Sequence, residues 1–187
     1  MSKLQLRQLA DQDEVAFLKW VQDWKDEDPL WATFAWKPGM THQDHLAELE
    51  NQKDKTKIAK DRVPATMFYG FVENTIVGRI NIRHELNDHL LQRGGHLGYA
   101  VSPKFRKQGY ATQMFRLGLQ KCRDLGLSEI LITCTDENVA SWRVIEKFGS
   151  QLENRILDDE DKKLVRRYWL KPEQFLKDRS SSSAHNS

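Results

Sequence analysis

The chain has 187 residues, 39% of them hydrophobic and 30% charged, which is typical of a single folded domain with a solvated surface. Its 29 basic and 27 acidic side chains leave a formal net charge of +2, which argues against nucleic acid as a partner. No apolar run approaches the roughly 18 residues of a membrane span, and Cys122 and Cys134 offer neither a disulfide framework nor zinc-ligand spacing. We therefore expect a cytoplasmic protein with no metal site and no membrane partner.

The N-terminal segment predicts a strand followed by a helix. Residues 3–9 alternate leucines with polar residues, as a half-buried strand does. Asp11 and Glu14 form a pattern typical of a helix start, so a helix is predicted over 12–26. Apolar residues recur there at intervals of three and four, which predicts a buried face made of Val15, Leu18, Val21 and Trp24.

An aromatic loop and a second helix come next. Residues 30–40 contain Pro38-Gly39 and three aromatic rings, those of Trp31, Phe34 and Trp36. A helix is predicted over 41–59 with Thr41 as its N-cap, and its lysines at 53–60 favour a solvated face over a nucleic-acid contact.

The remaining elements alternate strands with helices. The predicted strands cover 65–72 and 76–82, joined by the turn Glu73-Asn74, and then 96–101, 129–135, 152–157 and 164–170. Helices are predicted from about 109 to 125 and from 138 to 149. The order β-α-α-β-β-β-α-β-α-β-β indicates a mixed α/β (α+β) domain over 1–171, with a central mixed twisted sheet of about seven strands and helices on both faces. Residues 172–187 are predicted to be a polar, disordered tail.

The stretch from 95 to 111 has the character of an anion-binding site. A strand ending at Pro103 leads through a basic turn into a helix that begins near Gly109, and no Ser, Thr, Asp or Asn precedes that helix as an N-cap. Its first backbone N–H groups therefore need another acceptor, and the positive end of the helix dipole favours a phosphate there. Arg106 and Lys107 add positive charge.

The same stretch resembles the coenzyme A-binding signature of the GNAT acetyltransferase superfamily, [Arg/Gln]-x-x-Gly-x-[Gly/Ala], through Arg106, Gly109 and Ala111. A second block, Asn138-Val-Ala-Ser141 followed by Glu146-Lys-Phe-Gly149, resembles the family's Asn-x-x-Ser…Glu-Lys-x-Gly segment. The resemblance implies the same order of elements and acetyl-CoA as cosubstrate. It also implies that the motif strand and the next strand splay apart, so that pantetheine pairs with the main chain. The cofactor-binding residues that it implies are Ala100, Val101, Arg106, Lys107, Gln108, Gly109, Tyr110, Ala111, Thr112, Asn138 and Ser141.

Acetyl transfer to an amine also requires a base, because an alkylammonium ion has no free lone pair. Glu85 is the first candidate, followed by His96 and then His84, and each has an ordinary structural role as its alternative. Many family members place a Tyr that acts as the general acid where this chain has Ile145. Water, Ser141 or Tyr168 would then have to protonate the coenzyme A thiolate, or the thiolate leaves without a dedicated acid.

Two functions follow from the resemblance. The first is an N-acetyltransferase acting on a primary amine of a small molecule or a protein. The alternative is a catalytically silent acyl-CoA-binding sensor, which the departure at Ile145 would suit. The resemblance also implies that two copies can pair into a homodimer.

Overall fold

The structure, a computed structural model, describes residues 3–27, 33, 36–37 and 39–173. Within these ranges the strands are β1 Gln5–Arg7, β2 Ala65–Val72, β3 Thr75–Arg83, β4 Leu97–Val101, β5 Ile130–Thr135, β6 Gln151–Leu157 and β7 Leu164–Leu170. The helices are α1 Glu14–Gln22, α2 His42–Asn51, α3 Asp88–Gln92, α4 Tyr110–Asp124 and α5 Val139–Glu146. Short 3₁₀ turns span Asp11–Asp13 and Pro103–Phe105. The mixed α/β class is confirmed, whereas Trp31, Phe34 and tail residues 174–187 lie outside the described residues.

The described strands form two sheets. The first has the order β1-β2-β3-β4 and the second has the order β5-β7-β6. β1 pairs antiparallel with β2, and β7 pairs antiparallel with both β5 and β6. The predicted number of strands is therefore confirmed, but the strands are divided four and three where the sequence predicted one sheet. Periodicity identifies strands and says nothing about which neighbours pair.

The chain also divides into two compact units that interleave along the sequence. The first unit contains the residues up to Ile82 together with Tyr99–Phe115. The second contains Arg83–Gly98 together with the residues from Arg116 onward. β3, β4 and α4 each contribute residues to both units.

The buried face of α1 differs from the predicted one. Phe17, Trp20 and Trp24 are almost fully buried, whereas Val15 is 80% exposed. Leu18 is exposed as well, whereas Val21 is half-buried against the same cluster. The prediction was therefore wrong for Val15 and Leu18 and right for Val21 and for Trp24, which follows the end of α1. Phe17, Trp20 and Trp24 have the same helical spacing as the predicted set, and the larger aromatic rings bury more apolar surface than valine does.

Helices cover both faces of the first sheet. Met67, Tyr69 and Phe71 of β2 pack in one cluster with the aromatic residues of α1 and with α2. Gly70 points to the opposite side, where a Cβ at this position would lie 3.0 Å from the sulfur of Met114 in α4. This arrangement confirms the prediction of helices on both faces.

Caps set the helix boundaries. Thr41 caps α2 as predicted, since its hydroxyl accepts the Asp44 N–H at 3.1 Å, but α2 ends at Asn51 rather than at 59. At the 3₁₀ turn that precedes α1, the capping carboxylate belongs to Asp13, which accepts the Ala10 N–H at 2.9 Å, and the assignment to Asp11 was wrong. Among the described residues, no helix is both long and apolar enough to cross a membrane.

The connection between β3 and β4 contains a helix that the sequence did not reveal. Asn87 begins α3 by accepting the Leu90 N–H at 2.9 Å, and Leu90 is buried. With only five residues, α3 is too short for hydrophobic periodicity to be visible.

Candidate active site

The loop between β4 and α4, residues 102–109, contains two left-handed backbone positions. Lys107 has φ 60° and Gly109 has φ 82°, and the side chains of 106–109 are exposed. The Gln113 N–H donates to the Gly109 carbonyl at 3.2 Å, which is the first helical bond at this end of α4. The N–H groups of 110–112 precede it and so lack an intrahelical acceptor. The loop thus presents unpaired donors and the positive end of α4 to solvent, as an anion-binding loop does.

Gly109 is required by the backbone rather than by crowding. A Cβ at this position would meet no protein atom within 4 Å, so the space beside the loop is open. Its positive φ is a conformation that side-chain-bearing residues adopt at a cost.

Arg106, the first residue of the signature, is held by a carboxylate of the protein. Its two terminal nitrogens donate to the two oxygens of Glu27, each at 2.7 Å, and its Nε donates to the Val101 carbonyl at 3.2 Å. These bonds from Arg106 lower the pKa of the Glu27 carboxyl. The guanidinium also lies 5.7 Å from the centre of the Trp24 ring. The side chain therefore joins the 102–109 loop to the segment that follows α1.

Other contacts brace the same loop. Gln108 donates from Nε2 to the Lys104 carbonyl at 3.0 Å, and the Tyr110 ring packs edge-on against Phe105. Lys104 forms an ion pair with Asp23 at 2.7 Å. Ala111 and Thr112 follow in the first turn of α4, half-buried.

β3 approaches the main chain of β4 closely at Ala100. A Cβ at Gly78 would lie 2.4 Å from the Ala100 carbonyl oxygen, which is impossible without movement of one strand. Ala100 itself is buried in the cluster under α1 and α2, and Val101 is half-buried. Gly78 therefore fixes the position of the β4 backbone.

In the second unit, His96 bonds to the backbone of β5. The backbone N–H of His96 donates to the Leu131 carbonyl at 2.7 Å, and the backbone N–H of Leu131 donates to the ring Nδ1 of His96 at 2.9 Å. Burial, followed by the nearby Arg83 charge, lowers the pKa of His96 to about 4. His96 is consequently neutral at pH 7, with Nδ1 occupied.

The other two candidates for the base lie in the segment between β3 and α3. Glu85 is exposed and His84 is half-buried. Behind this segment, Arg83 donates to the carbonyls of Gly94 and Gly95, each at 3.0 Å, and burial lowers the pKa of Arg83 to about 10.

Asn138 and Ser141 are neighbours at the start of α5. Asn138 is the N-cap of this helix, and its Oδ1 accepts the Ser141 N–H at 3.1 Å. The Ser141 side chain hydrogen-bonds the Cys134 thiol, whose pKa is raised to about 11 mainly by burial.

Tyr168 lies in a hydrogen-bonded network of the second sheet. Its hydroxyl donates to Glu146 Oε1 at 2.8 Å and accepts from Arg166 at 3.2 Å. Arg166 also donates to Asp136 at 2.6 Å and lies 4.5 Å from the centre of the Trp142 ring. Burial is the main cause that raises the pKa of Tyr168. Ile145, which precedes Glu146, is fully buried.

The family assignment rests on sequence. The family described as "Acetyltransferase (GNAT) domain" matches residues 3–151, which is most of the chain. The chain belongs to this GNAT family. An uncharacterized N-acetyltransferase of Bacillus subtilis (strain 168), YnaD, is 27% identical over 82 residues, or 43% of this chain. That match spans 46% of the length of YnaD, so the two proteins share about half their lengths.

Solved structures support the same GNAT fold. The ribosomal L7/L12 alpha-N-protein acetyltransferase RimL in complex with coenzyme A has a TM-score of 0.63 and 17% identity, covering 91% of this chain and 95% of that one. A chimera of the spermidine N-acetyltransferase SpeG from Vibrio cholerae and hSSAT has a TM-score of 0.59 and 17% identity, covering 94% and 99%. At such low identity these likenesses establish the fold alone.

The structure also shows buried polar residues of this GNAT domain that the sequence analysis did not single out. Arg79 and Asn81 of β3 are 2% and 1% exposed, and His45 of α2 is fully buried. The available signal was an arginine and an asparagine in the middle of an otherwise apolar strand.

Proposed function

We propose that this protein transfers the acetyl group of acetyl-CoA directly to a primary amine of a small molecule or a protein. The observation that best supports this proposal is the geometry of the 102–109 loop. Its open side presents the first N–H groups of α4 beside Lys107 and Gly109. These features fit a diphosphate, since unpaired donors and a helix N-terminus both stabilise an anion. When bound, acetyl-CoA supplies an activated thioester.

The residues of the loop have separate roles in this proposal. The N–H groups of residues 107–112 hold the diphosphate, and Gly109 gives the loop its shape. The main chain at Ala100 and Val101 pairs with pantetheine, and a main-chain N–H of β4 polarises the thioester carbonyl. Asn138 and Ser141 are proposed, by the family resemblance, to hydrogen-bond the cofactor. The cap uses Oδ1 of Asn138, and Nδ2 takes no part in it.

Glu85 is the proposed base. It is exposed, so solvent reaches it, and a carboxylate can accept the proton of an ammonium group directly or through water. His96 suits this role less, because its Nδ1 already accepts the Leu131 N–H and its pKa is lowered to about 4. His84 is the second choice.

Tyr168 is the proposed acid for the departing thiolate. Its hydroxyl carries the proton that the thiolate needs, although burial raises the pKa of Tyr168 and so makes it a weaker acid than an ordinary tyrosine. Glu146 and Arg166 position this hydroxyl through its two hydrogen bonds. To act, Tyr168 must exchange its bond to Glu146 for one to the thiolate.

The proposal is tested by titrating the protein with coenzyme A and by measuring thiol release from acetyl-CoA with a panel of amines. We expect saturable binding and amine-dependent thiol release. Binding without release for any amine would contradict the transferase and support the silent acyl-CoA-binding alternative. Failure to bind would contradict the anion-binding role of the loop.

Glu85→Gln provides the residue-level test of the base. We expect turnover to fall about 100-fold with little change in coenzyme A affinity, because the charge that accepts the proton is removed. The matched control is Glu14→Gln, which neutralises an exposed carboxylate in the first turn of α1. Equal turnover of the two variants at every pH would show that Glu85 is not the base.

Location and assembly complete the proposal. A cytoplasmic location would give the protein access to acetyl-CoA. Pairing into a homodimer stays a prediction, and sedimentation analysis at several concentrations tests it.

A further inference from the structure

Asn81 is a buried polar residue of the first unit whose side-chain oxygen and nitrogen are both without a partner among the described residues. It lies within β3 and is 1% exposed. A buried amide that makes no hydrogen bond is destabilising, and native proteins retain few of them. The side chain therefore calls for a partner from outside the described chain.

The backbone determines the face to which Asn81 points. A Cβ at Gly78 would lie 2.9 Å from the sulfur of Met114, so position 78 faces α4. Side chains alternate along a strand, so Arg79 and Asn81 face the other side, which α1 and α2 cover. The positive charge of Arg79 acts on Tyr69, a member of the cluster on that side, and opposes the rise in pKa that burial causes there.

Further hydrogen-bonding groups lie on this face. His45 Nε2 is 3.4 Å from the Tyr69 hydroxyl, while His45 Nδ1 is buried without a partner among the described residues. The His45 ring stacks on Phe17 with 4.6 Å between centroids. Burial is the main cause that lowers the pKa of His45 to about 4, so its ring is neutral at pH 7. We call His45, Tyr69, Arg79 and Asn81 the polar patch.

The chemistry of the polar patch restricts what it can bind. An asparagine amide presents a donor and an acceptor side by side, which matches a primary carboxamide or the N–H and C=O of one residue in an extended peptide. His45 and Tyr69 add neutral hydrogen-bonding atoms. Arg79 places a positive charge on the same face, which disfavours a second cationic group in the ligand.

We propose that the polar patch binds the amine substrate and that Asn81 determines specificity by pairing with a peptide or carboxamide group next to the reacting amine. The preferred substrate is then a peptide or protein with a free α-amine, rather than a polyamine. This inference rests on the proposed acetyl transfer and adds the class of the substrate to it.

The test compares three amines with the full-length protein: a tripeptide amide with a free α-amine, spermidine and butylamine. We expect kcat/KM for the tripeptide to exceed the other two at least ten-fold. Asn81→Leu should lower kcat/KM for the tripeptide about 30-fold and leave butylamine within two-fold, because a site built to hydrogen-bond loses only the substrates that use those bonds. Coenzyme A affinity should not change.

Thermal unfolding separates recognition from a structural role. Leucine is close in size to asparagine and removes the unsatisfied amide, so Asn81→Leu should unfold at the same or a higher temperature. The control is Asn51→Leu at the end of α2, which should leave the ratio of tripeptide to butylamine activity unchanged.

Several results would overturn the inference. They are equal loss of activity toward all three amines, a lowered unfolding temperature with an unchanged activity ratio, or a wild-type protein that prefers spermidine or butylamine. If the wild type binds coenzyme A but acetylates none of the amines, the proposed transfer fails, and the inference falls with it for that separate reason.

Discussion

The 102–109 loop and the polar patch lie in the same unit and differ in how their polar groups are arranged. The loop is exposed, and its donors are backbone N–H groups presented by a fixed local geometry at Lys107 and Gly109. The polar patch is buried, and its groups are side chains brought together from α2, β2 and β3. The loop is formed by residues adjacent in the sequence, whereas the polar patch is formed by residues that packing brings together.

This difference predicts how each region responds to change. A loop made of backbone donors is sensitive to residues that alter φ and ψ and tolerant of changes in exposed side chains. A buried patch is sensitive to side-chain polarity and to protonation. The loop therefore suits the invariant diphosphate of the proposed cofactor, and the polar patch suits the proposed recognition of a particular amine substrate.

The largest effect is expected at the loop backbone. Gly109→Val should weaken coenzyme A binding at least about 100-fold, because a β-branched residue is strained at φ 82° and the loop must turn its N–H groups away. Titration calorimetry measures this loss. Gly126→Val is the matched control, since Gly126 also has φ 82° with no atom within 4 Å of an added Cβ, and it follows the far end of α4. If both variants bind coenzyme A equally well, the loop is not the phosphate site.

The next effect concerns the scaffold on which both regions depend. Gly78→Ala should lower the free energy of unfolding by about 2–3 kcal/mol, because its Cβ would lie 2.4 Å from the Ala100 oxygen. Gly98→Ala in β4 is the control and should change stability by less than about 0.5 kcal/mol, as the nearest atom to its Cβ is 3.8 Å away. Denaturant unfolding measures both. Equal stability of the two variants would refute the close approach of β3 to β4.

The same contrast explains how much could be read from the sequence. The strand, basic turn and helix around Gly109 are contiguous, so their local chemistry predicted an anion site and matched the family signature. The order of the predicted elements, Thr41 as a cap and the β2–β3 turn were likewise local, and they are confirmed, with α3 as an additional helix that the sequence did not reveal. Arg79 and Asn81 could not be interpreted from sequence, because their importance depends on which residues pack against them.

Helix α1 shows the same limit in another form. Two apolar stripes with helical spacing are present, and only packing against β2 decides that Phe17 and Trp20 are buried while Val15 is exposed. The pairing of Arg106 with Glu27 was also invisible, because the two residues are far apart in sequence.

Protonation should act on the buried histidines rather than on the loop. The pKa values of His45 and His96 are lowered to about 4, so the unfolded chain binds more protons than the folded one between pH 4 and about 6.5. Stability is therefore complete above pH 6.5 and falls as the pH drops toward 4, by up to about 3 kcal/mol for each histidine. In His45→Gln, the number of protons taken up on unfolding over this pH range should be smaller by about one, which makes the free energy of unfolding less dependent on pH. His89→Gln, which changes an exposed histidine, should show the wild-type dependence. A stability that does not change between pH 4 and 6.5 would contradict the burial of both rings.

The smallest effect is expected from a side chain at the edge of the loop. Glu27 holds the guanidinium of Arg106 through two bonds of 2.7 Å, so an incoming phosphate must compete with this carboxylate. Exposed ion pairs contribute at most about 1 kcal/mol, so Glu27→Gln should tighten coenzyme A binding by about two- to five-fold, and less at high salt. Asp23→Asn removes the same charge from the partner of Lys104 and leaves Arg106 paired. Equal tightening in both variants would mean that overall charge is responsible. Tightening in Glu27→Gln alone would show that Arg106 moves from Glu27 to the phosphate, so that a carboxylate of the protein competes with the ligand for one side chain of this exposed loop.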